Sequence, residues 1–562
     1  MKYANWNVPE RGAQIPRALL AAGCTPLLAA ILHLRGLSDP AAARSFLRGG
    51  AETLTNPLEL TGMVDAVQRL TRAVATGEHV AVYGDYDVDG ITAACLLTDY
   101  LRFRGLTCEL RIPDRISEGY GLNTAAIDAL AEEGVTLIVT VDCGVTNLEE
   151  TAYAAQRGVD MIVTDHHECR EALPEAEAVV DPKQPDSSGV GTALAGVGVA
   201  FKLVCAMEGD ADKMLARYGD LVAVGTVADV MPLLGENRFI TRCGLQKIAA
   251  GDCRPGFLAL AEEAGVRDKP FTASTVGFSL APRINAAGRL GEPSLAVRLL
   301  EETDLRRARV LAAELCAKNR ERQALETEIW REAVERLHGE QPDAPIVLAS
   351  EGWHPGVIGI VASRLTDAYS VPAVMICLDG ESGKGSCRST GSFNLFEALS
   401  ACSDCLEGFG GHAMAAGVTV RRGCVDELRS RLREYYLSHP DRTLPALEAD
   451  LLVDSPELLT MACVESLDEL EPCGNGNPRP LLYMENVSLD SVQPIGGGKH
   501  LRLKLAKFGQ TYDGVFFSQT APALGARAGQ RCDIVFAPQI NEFHGRRSVQ
   551  LVITDLRRSK EG

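Results

Sequence analysis

Four apolar segments in the first third of the chain each end in an aspartate, and helical segments separate them. They are HVAVYGD, LIVTVD, MIVTD and AVVD, at residues 79–85, 137–142, 161–165 and 178–181. Apolar strands that alternate with helices predict a parallel α/β sheet. Ligands of open α/β sheets bind at the carboxyl ends of the strands. The pattern therefore predicts an α/β fold with a row of carboxylates along one edge of its sheet.

The first segment continues into three acidic residues, Asp85, Asp87 and Asp89, in the motif GDYDVDG. If this motif is extended, its alternate side chains point the same way and the three carboxylates converge. Like charges at such short range repel one another unless a cation lies between them. Oxygen ligands favour magnesium or manganese. On these residues alone, a helix-capping turn and a single calcium loop remain alternatives.

Further residues of the same kinds follow the later strands. Asp142 ends the second segment, the triplet 165–167 (Asp-His-His) ends the third, and Asp229 stands in VGTVADVMPL, at a strand end or in a loop. A mixed set of aspartate and histidine favours manganese or iron over calcium, because imidazole is the softer ligand. Two such ions side by side activate water and neutralise a phosphate. The combined pattern therefore predicts a metal-dependent phosphodiesterase.

GDYDVDG, VDCG, TDHH and AD resemble the four motifs of the DHH phosphoesterase superfamily. The resemblance implies two divalent metal ions, manganese or magnesium, and metal ligands Asp85, Asp87, Asp89, Asp142, His166 and Asp229. It also implies that Asp142 bridges the ions. The residues that the resemblance implies as catalytic are Asp87, Asp89, Asp142, His166, His167 and Asp229. Some members have a histidine near the start of the first motif. This chain has Tyr83 or Gly84 there, which predicts one protein ligand fewer.

The remaining chain predicts three further parts. Apolar residues at helical spacing predict one long helix from Asp304 to Leu337. A second α/β unit begins at residues 345–350, and short strands separated by turns predict a small β-barrel at the C-terminal end. We predict five domains or segments: an N-terminal helical segment packed on the catalytic domain (1–78), a DHH catalytic domain (79–300), a connecting helix (301–340), a DHH-associated domain (341–440) and an OB-type nucleic-acid-binding domain (441–562).

Three motifs outside the metal cluster, GFGGHAMAAG, GKGSCRST and APRINAAGRLG, are candidates for binding nucleic acid. The first resembles the GGH signature of the DHH-associated domain, the second its phosphate-gripping strand, and the third a signature of the RecJ exonucleases within the superfamily. Two further segments, EGWHPGVIGIVASRL and EPCGNGNPRP, also resemble RecJ segments. Taken alone, a glycine-rich turn and a surface salt bridge remain alternatives. The residues that these motifs predict for nucleic acid are Arg283, Asn285, Arg289, Ser386, Arg388, Ser389, Gly410, Gly411 and His412.

The C-terminal section is basic although the chain as a whole carries a net charge of −19. Residues 479–562 contain 12 Lys and Arg against 7 Asp and Glu. OB folds bind single strands with a basic groove and stacking aromatic rings. We predict DNA contacts from Lys499, Arg502 and Arg546. Of the aromatic candidates, we expect one or two at most to stack on bases and the others to be core residues; they are Tyr512, Phe516, Phe517 and Phe543.

The RecJ resemblance covers nearly the whole chain and implies a 5′ to 3′ exonuclease of single-stranded DNA in recombination and repair. Two alternatives remain: a phosphodiesterase for short RNA or cyclic dinucleotides, and a non-catalytic single-strand-binding replication scaffold. We expect a monomer whose partners are single-stranded DNA, a single-strand-binding protein and a helicase. The absence of a signal peptide or membrane segment, together with 17 cysteines that lack a disulfide pattern, predicts a cytoplasmic protein without a membrane partner.

Overall fold

The computed structural model describes residues 3, 5–12, 14–115, 117–119, 121–187, 189–440, 443 and 446–559. Its strands, numbered along the chain, are β1 (Asn5–Asn7), β2 (His79–Gly84), β3 (Thr107–Arg111), β4 (Leu137–Val141), β5 (Asp160–Thr164), β6 (Ala178–Val180), β7 (Ile346–Ser350), β8 (Ala373–Asp379), β9 (Ser382–Arg388), β10 (Gly408–Gly411), β11 (Ala415–Arg421), β12 (Ala446–Glu448), β13 (Leu451–Leu452), β14 (Leu482–Ile495), β15 (His500–Lys507), β16 (Gln510–Phe516), β17 (Arg531–Phe543) and β18 (Arg546–Arg558).

The helices are α1 (Arg17–Ala21), α2 (Pro26–Leu34), α3 (Pro40–Arg48), α4 (Met63–Thr76), α5 (Val88–Phe103), α6 (Thr124–Glu132), α7 (Leu148–Gln156), α8 (Gly196–Glu208), α9 (Ala211–Ala228), α10 (Gly235–Ala250), α11 (Pro255–Glu263), α12 (Ala273–Thr275), α13 (Ala281–Arg289), α14 (Pro293–Glu301), α15 (Leu305–Arg336), α16 (Ile358–Tyr369), α17 (Leu395–Ser400), α18 (Val425–Ser438) and α19 (Met461–Ser466). None of the helices in these described ranges is long and apolar enough to cross a membrane.

The first sheet has the order β3-β2-β4-β5-β6, and all of its strands are parallel. Val80 and Val82 of β2 face a core that includes α5 and α8, whereas Ala81 and Tyr83 face a second core with α6 and α7. Alternate residues therefore bury both faces of the sheet, which is why each strand is almost wholly apolar. The predicted parallel α/β sheet is confirmed, and four aspartates follow its strands at one edge.

A long helix and a second sheet follow within the same unit of the chain. The helix α15 has Asp304 as its N-cap and Leu337 as its C-cap, in agreement with the predicted helix. The second sheet has the order β10-β11-β9-β8-β7, with β7 and β8 parallel and the other pairs antiparallel. Helix α16 packs against β8 and β9. The predicted second α/β fold, joined to the first by a long helix, is thus confirmed.

The C-terminal strands form a closed barrel. They follow the order β14-β15-β16-β18-β17, and β17 pairs again with β14, while β13 adds to β14 in parallel. The predicted OB-type β-barrel is confirmed. Short strands with apolar residues and turns between them are the pattern from which the barrel was predicted.

Contacts divide the chain into two units, one of residues 50–442 and 472–476 and the other of residues 1–49, 443–471 and 477–562. The predicted N-terminal segment, 1–78, is therefore shared between the units. Its first part belongs with the barrel because β1 pairs with β12 and α2 packs against α19. The predicted boundary at residue 441 lies outside the described residues, and the other domain boundaries stay predictions.

Candidate metal centre

Seven acidic and histidine side chains come together where β2, β4 and β5 end and helix α9 ends beside them. They form three overlapping groups, in each of which one ligand atom per residue lies within 4.8 Å of the others: Asp85 with Asp87 and Asp142, Asp89 with His166 and Asp229, and Asp142 with His166 and His167. All six predicted metal ligands and the predicted catalytic His167 occur in these groups. Asp142 belongs to two of them, which suits the bridging role that the resemblance implies.

The first motif converges by a different route from the one we predicted. The motif is not extended: Asp87 is the N-cap of α5, where its carboxylate accepts from Gly90 N at 3.1 Å. Asp89 lies in the first turn of that helix and accepts from the backbone N–H groups of Gly196 and Val197 at 2.7 and 2.8 Å. Those groups begin α8, whose positive end favours the carboxylate. Two helix N-termini, not strand alternation, therefore orient these ligands.

Asp142 is held in a strained conformation against a glycine. Its φ of 59° lies in the left-handed region, which residues other than glycine seldom adopt. A Cβ on Gly196 would lie 2.5 Å from the Cβ of Asp142, so a side chain at position 196 would displace the aspartate. Its Oδ1 is buried and makes no hydrogen bond within the described residues. Strain of this kind concentrates where function requires a fixed geometry.

The two histidines of the triplet have different environments. His167 Nδ1 lies 2.7 Å from Asp165 Oδ1, and the same carboxylate accepts from the backbone N–H groups of Val145 and His166. Asp165 therefore orients the His167 ring, as carboxylates commonly do for histidines at metal sites. His166 is buried, and its Nε2 lies 3.1 Å from Asp142 Oδ1.

Asp229 lies at the end of a helix, whereas we predicted a strand end or a loop. It is the C-cap of α9, and Val230 after it has a φ of 57°, which is unfavourable for a β-branched residue. Asn475 braces this turn: its side chain donates to Val230 O at 2.8 Å, and its carbonyl accepts from Leu233 N at 2.8 Å. Asn475 lies in the EPCGNGNPRP motif, for which the sequence suggested no site role.

Burial and mutual repulsion raise the pKa values of the clustered carboxyl groups. Burial, followed by the charge of Asp87, raises the pKa of Asp85 to about 8 and that of Asp229 to about 7. Burial likewise raises the pKa of Asp142 well above its usual value. Burial lowers the pKa of His166 to about 4, which leaves a neutral ring that can bind a cation. Burial also lowers the pKa of His167, but the hydrogen bond and charge of Asp165 outweigh it and raise that pKa to about 9.

These observations fit divalent cations. Asp85 Oδ1 and Asp142 Oδ1 are both buried without hydrogen-bond partners in the described part of the chain, which is unfavourable unless a cation binds them. The donor set of carboxylate oxygens and imidazole nitrogen suits manganese or magnesium. Tyr83 contributes no ligand, because it faces the core of the sheet and its hydroxyl donates to Gly121 O at 3.2 Å. Nor has position 84 room for a histidine, since a Cβ on Gly84 would lie 2.8 Å from Gly90 O.

A group of arginines lies beside the metal cluster. Arg289 is half-buried, and burial first, then the charges of Arg115, Arg322 and Arg388, lower its pKa to about 10, while Asp87 acts in the opposite direction. Arg289 also donates to Gly356 O at 3.1 Å. Partly buried cations that repel one another favour an anion between them, and arginine binds phosphate with well-matched geometry. The sequence did not identify Arg115 or Arg322, because one lies in an unremarkable loop and the other on the connecting helix.

Of the other residues predicted to bind nucleic acid in this unit, some can reach a ligand and others are used in contacts within the protein. Ser386 and Arg388 lie on the same face of β9, and a Cβ on Gly359, in the first turn of α16, would lie 3.2 Å from Ser386 Oγ. Ser389 is buried and its hydroxyl donates to Phe393 O at 2.7 Å, which indicates a structural role. Asn285 Oδ1 accepts from Val88 N at 3.2 Å, and Arg283 donates to Ser279 O.

The GGH motif ends β10 and begins the turn to β11. Gly410 pairs with Gly417 in these strands. Gly411 has a φ of 137°, and a Cβ there would lie 2.4 Å from Ala415 O, so the turn requires glycine. His412 is exposed and its backbone N–H donates to Ala415 O at 2.8 Å. The imidazole is therefore exposed to solvent at the edge of this sheet.

The barrel carries the remaining predicted residues on its own surface. Arg502 and Arg546 are exposed, as are Phe517 and Phe543, whereas Tyr512 and Phe516 are buried. Lys499 precedes β15 and is exposed. Two aromatic rings are therefore accessible for stacking, which is the number that we allowed from the sequence.

Three family models match the chain: the DHH family, N-terminal domain over residues 79–226, the DHHA1 domain over 333–437 and the RecJ OB domain over 450–555. The single-stranded-DNA-specific exonuclease RecJ of Bacillus subtilis is 40% identical over 542 residues, which cover 94% of this chain and 68% of that protein. The crystal structure of RecJ from Thermus thermophilus with Mn²⁺ matches with a TM-score of 0.85 and 31% identity, covering 99% of this chain and 80% of that one. The structure with Mg²⁺ matches with a TM-score of 0.79 and 30% identity, covering 99% and 79%.

Proposed function

The chain belongs to the RecJ family of single-stranded-DNA-specific exonucleases, and we propose that it hydrolyses single-stranded DNA from the 5′ end and releases 5′-mononucleotides, in recombination and repair. The observation that carries this proposal is the convergence of seven acidic and histidine side chains beside a group of arginines. Carboxylates and imidazoles can hold divalent ions, and the arginines can hold the phosphate that is attacked.

We propose that Asp85, Asp87, Asp89, Asp142, His166 and Asp229 hold two divalent ions, manganese or magnesium. When bound, the ions lower the pKa of a water molecule and neutralise charge on the scissile phosphate. The protein contributes fixed geometry: helix N-termini orient Asp87 and Asp89, and the packing of Gly196 fixes Asp142. The His166 ring is buried and neutral, so it can complete the ligand set without first losing a proton.

His167 and the arginines act on the substrate in this proposal. The Asp165 carboxylate holds the His167 imidazole by its Nδ1 and raises its pKa to about 9, so the ring carries a proton at neutral pH. A protonated imidazole at this position can hydrogen-bond a phosphate oxygen or donate to the leaving oxygen. Arg388, Arg289 and Arg115 bind phosphates of the strand and fix its register. His412 at the GGH turn adds a further donor.

The barrel is proposed to guide the incoming strand. Lys499, Arg502 and Arg546 supply charge, and Phe517 and Phe543 supply rings on which bases can stack in any sequence. We further propose that a single-strand-binding protein and a helicase provide the substrate, that the protein acts as a monomer, and that it works in the cytoplasm. The intact ligand set argues against a non-catalytic scaffold, because loss of these carboxylates would be the mark of one.

The test is digestion of 5′-phosphorylated single-stranded DNA, duplex DNA and short RNA of matched sequence with Mn²⁺. Rapid release of 5′-mononucleotides from the single strand alone supports the proposal. Preferential turnover of di- and trinucleotides of RNA would instead favour the short-oligonucleotide phosphodiesterase. Binding without turnover of any substrate would favour the scaffold.

A further inference from the structure

A cavity of about 530 Å³ extends along β9, beside the residues proposed to bind phosphate. Ser386, Lys384 and Ser382 line it, and because they alternate along the strand they share one face of the sheet. Ser386 and Ser382 are four residues apart, which corresponds to about 13 Å at roughly 3.3 Å per residue. Sites for small organic ligands have volumes of roughly 300 to 1,000 Å³. This cavity therefore has room for a group much larger than a phosphate.

The Ser386 end of the cavity is suited to phosphate. Arg388 is the next residue on the same face of β9. A Cβ on Gly359, in the first turn of α16, would lie 3.2 Å from Ser386 Oγ and 3.4 Å from Arg388 Nη2. Arg115 also lines the cavity, and its charge contributes, after burial, to the lowered pKa of Arg388, so the two guanidinium groups are neighbours. Arginines beside a helix N-terminus favour phosphate, so this end can hold the phosphate of a strand.

The Ser382 end of the cavity is acidic. Asp379 pairs with Ser382 in the register of β8 and β9. Glu351 directly follows β7, which runs parallel to β8, so it lies at the same end. Both carboxylates line the cavity, and they would repel the phosphates of a DNA backbone that continued past them. The strand should therefore end at the phosphate-binding end, and in an enzyme that works from the 5′ end that terminus is the 5′ one.

The acidic end has the groups that bind a nucleoside. Carboxylates accept hydrogen bonds from ribose hydroxyls in nucleotide sites. Glu351 forms an ion pair with Arg422, so we assign the ribose hydroxyls to Asp379. Lys384 lies between the two ends and can bind a second phosphate. Apolar side chains form walls on which a base of any kind can pack. They are Pro355, Ile358 and Leu378.

We propose that this cavity holds a nucleoside joined to the 5′ end of a DNA strand through a 5′,5′-diphosphate, and that the enzyme therefore also degrades strands with capped 5′ ends. The inference rests on the proposed function, because the strand is cut at the same site. Water attacks the phosphorus between the first and second nucleotides, the bond from phosphorus to the 3′ oxygen breaks, and that oxygen takes a proton from the water. The products are the capped nucleotide, with its diphosphate intact and a 3′ hydroxyl, and a strand with a new 5′ phosphate. Transfer of a nucleotidyl group to a 5′ phosphate is the class of reaction that supplies such ends.

The first test compares two forms of one single strand, which carry at the 5′ end either a phosphate or an adenosine joined through a 5′,5′-diphosphate. The full chain digests both with Mn²⁺, and mass spectrometry identifies the first product. Wild type should release the intact capped nucleotide at a rate within about threefold of mononucleotide release from the phosphorylated strand, because the cap does not touch the bond that is cut. Digestion of the phosphorylated strand without cleavage of the capped strand would overturn the proposal.

Asp379→Ala then locates the cap. The KM for the capped strand should rise about tenfold, because the ribose hydroxyls lose a charged acceptor, and the KM for the phosphorylated strand should change less than about twofold. Asp379 is exposed, so the variant should fold normally, which thermal unfolding will verify. The matched control is Glu381→Ala, since Glu381 is an exposed carboxylate in the turn between β8 and β9 that does not line the cavity. Equal KM values of the two variants for the capped strand would overturn the proposal, as would equal changes for both strands.

Binding of the capped nucleotide separates failure of this inference from failure of the proposed function. Calorimetry in chelator compares adenosine joined to thymidine through a 5′,5′-diphosphate with thymidine 5′-phosphate. Wild type should bind the capped ligand about tenfold more tightly, and Asp379→Ala should bind the two ligands alike. This result without digestion of any strand would support the cavity as a nucleoside site and contradict the nuclease. Equal affinities in wild type would overturn the site. Tighter binding of the capped ligand, with digestion of the phosphorylated strand alone, would show that the cavity takes a free dinucleotide and would overturn the capped strand as a substrate.

Discussion

His166 Nε2 lies 3.1 Å from Asp142 Oδ1, although the carboxylate oxygen makes no hydrogen bond within the described residues. The two side chains follow neighbouring strands of one sheet, β4 and β5, and both are buried. Such proximity without a hydrogen bond is unfavourable for a buried carboxylate by itself. It is the arrangement expected of two groups that share a cation.

Asp142→Asn should reduce DNA hydrolysis by more than about 100-fold, because loss of even an outer partner of a metal ligand typically reduces activity 10- to 100-fold. Binding of single-stranded DNA should remain within about threefold of wild type, since the arginines that hold phosphate are unchanged. Steady-state kinetics and binding in chelator measure the two effects. Asp181→Asn is the matched control, because Asp181 also follows a strand of this sheet but belongs to none of the three ligand groups. Full activity of Asp142→Asn would exclude Asp142 as an essential metal ligand.

Asp165→Asn should reduce activity by about 10- to 100-fold, because the His167 ring loses the carboxylate that orients it. The raised pKa of His167 depends on the hydrogen bond and charge of Asp165. The basic limb of the rate profile, which begins near pH 9 in wild type, should therefore move to lower pH. A profile that keeps its basic limb would show that His167 does not act as a protonated group.

The sequence predicted the sheet well because its strands are buried on both faces and read as continuous apolar runs. It predicted α9 poorly: Val222, Val224 and Val227 favour a strand, and the helix exists because burial against α5 and α8 outweighs that preference. Asp229 was therefore selected correctly for the ligand groups but assigned to the wrong kind of element. Asp89 does not alternate with Asp85 and Asp87 along an extended strand, because α5 begins at Val88 and Asp89 lies in its first turn.

Other parts of the site depend on contacts between distant segments. Arg115 lies in a loop without a motif, and its importance arises from its approach to Arg289 and Arg388. Asn475 acts on Val230 from 245 residues away. No periodicity or spacing in one sequence reveals such contacts, because they form only when separate elements pack together.

The metal-free protein should lose stability as pH rises from about 4 to 8. Asp85 and Asp229 have folded-state pKa values of about 8 and 7, above the usual 3.8, so the folded state binds more protons than the unfolded state across this range. Stability then falls as pH rises. Mn²⁺ should raise the melting temperature, and by more at pH 8 than at pH 5, because protons compete for the ligands. Melting temperatures with and without chelator, at constant ionic strength, provide the measurement. A metal effect that is independent of pH would contradict the assignment.

Arg388→Ala should raise the KM for 5′-phosphorylated DNA about tenfold or more and reduce the salt dependence of binding by about one phosphate contact. Arg388→Lys should recover part of the loss, because lysine keeps the charge but not the bidentate geometry. Arg422→Ala is the control, since Arg422 forms a surface ion pair with Glu351. Equal KM values for Arg388→Ala and Arg422→Ala would remove Arg388 from the phosphate site.

Asn475→Ala should lower kcat about tenfold with a smaller effect on DNA binding. The turn after Asp229 loses the hydrogen bond from the Asn475 side chain to Val230 O, so the Asp229 carboxylate is held less firmly. Raising the Mn²⁺ concentration should restore part of the activity if the loss arises from weaker metal binding. Unchanged kcat and Mn²⁺ dependence would show that the EPCGNGNPRP segment does not support the site.

The most direct measurement is digestion of a long single-stranded DNA with Mn²⁺, labelled at its 5′ end in one reaction and at its 3′ end in another. A 5′ to 3′ exonuclease that depends on Asp142 should release 5′-labelled mononucleotide at once and the 3′ label late, and Asp142→Asn should digest neither substrate. Early release of the 3′ label, or digestion by Asp142→Asn at the wild-type rate, would contradict that prediction.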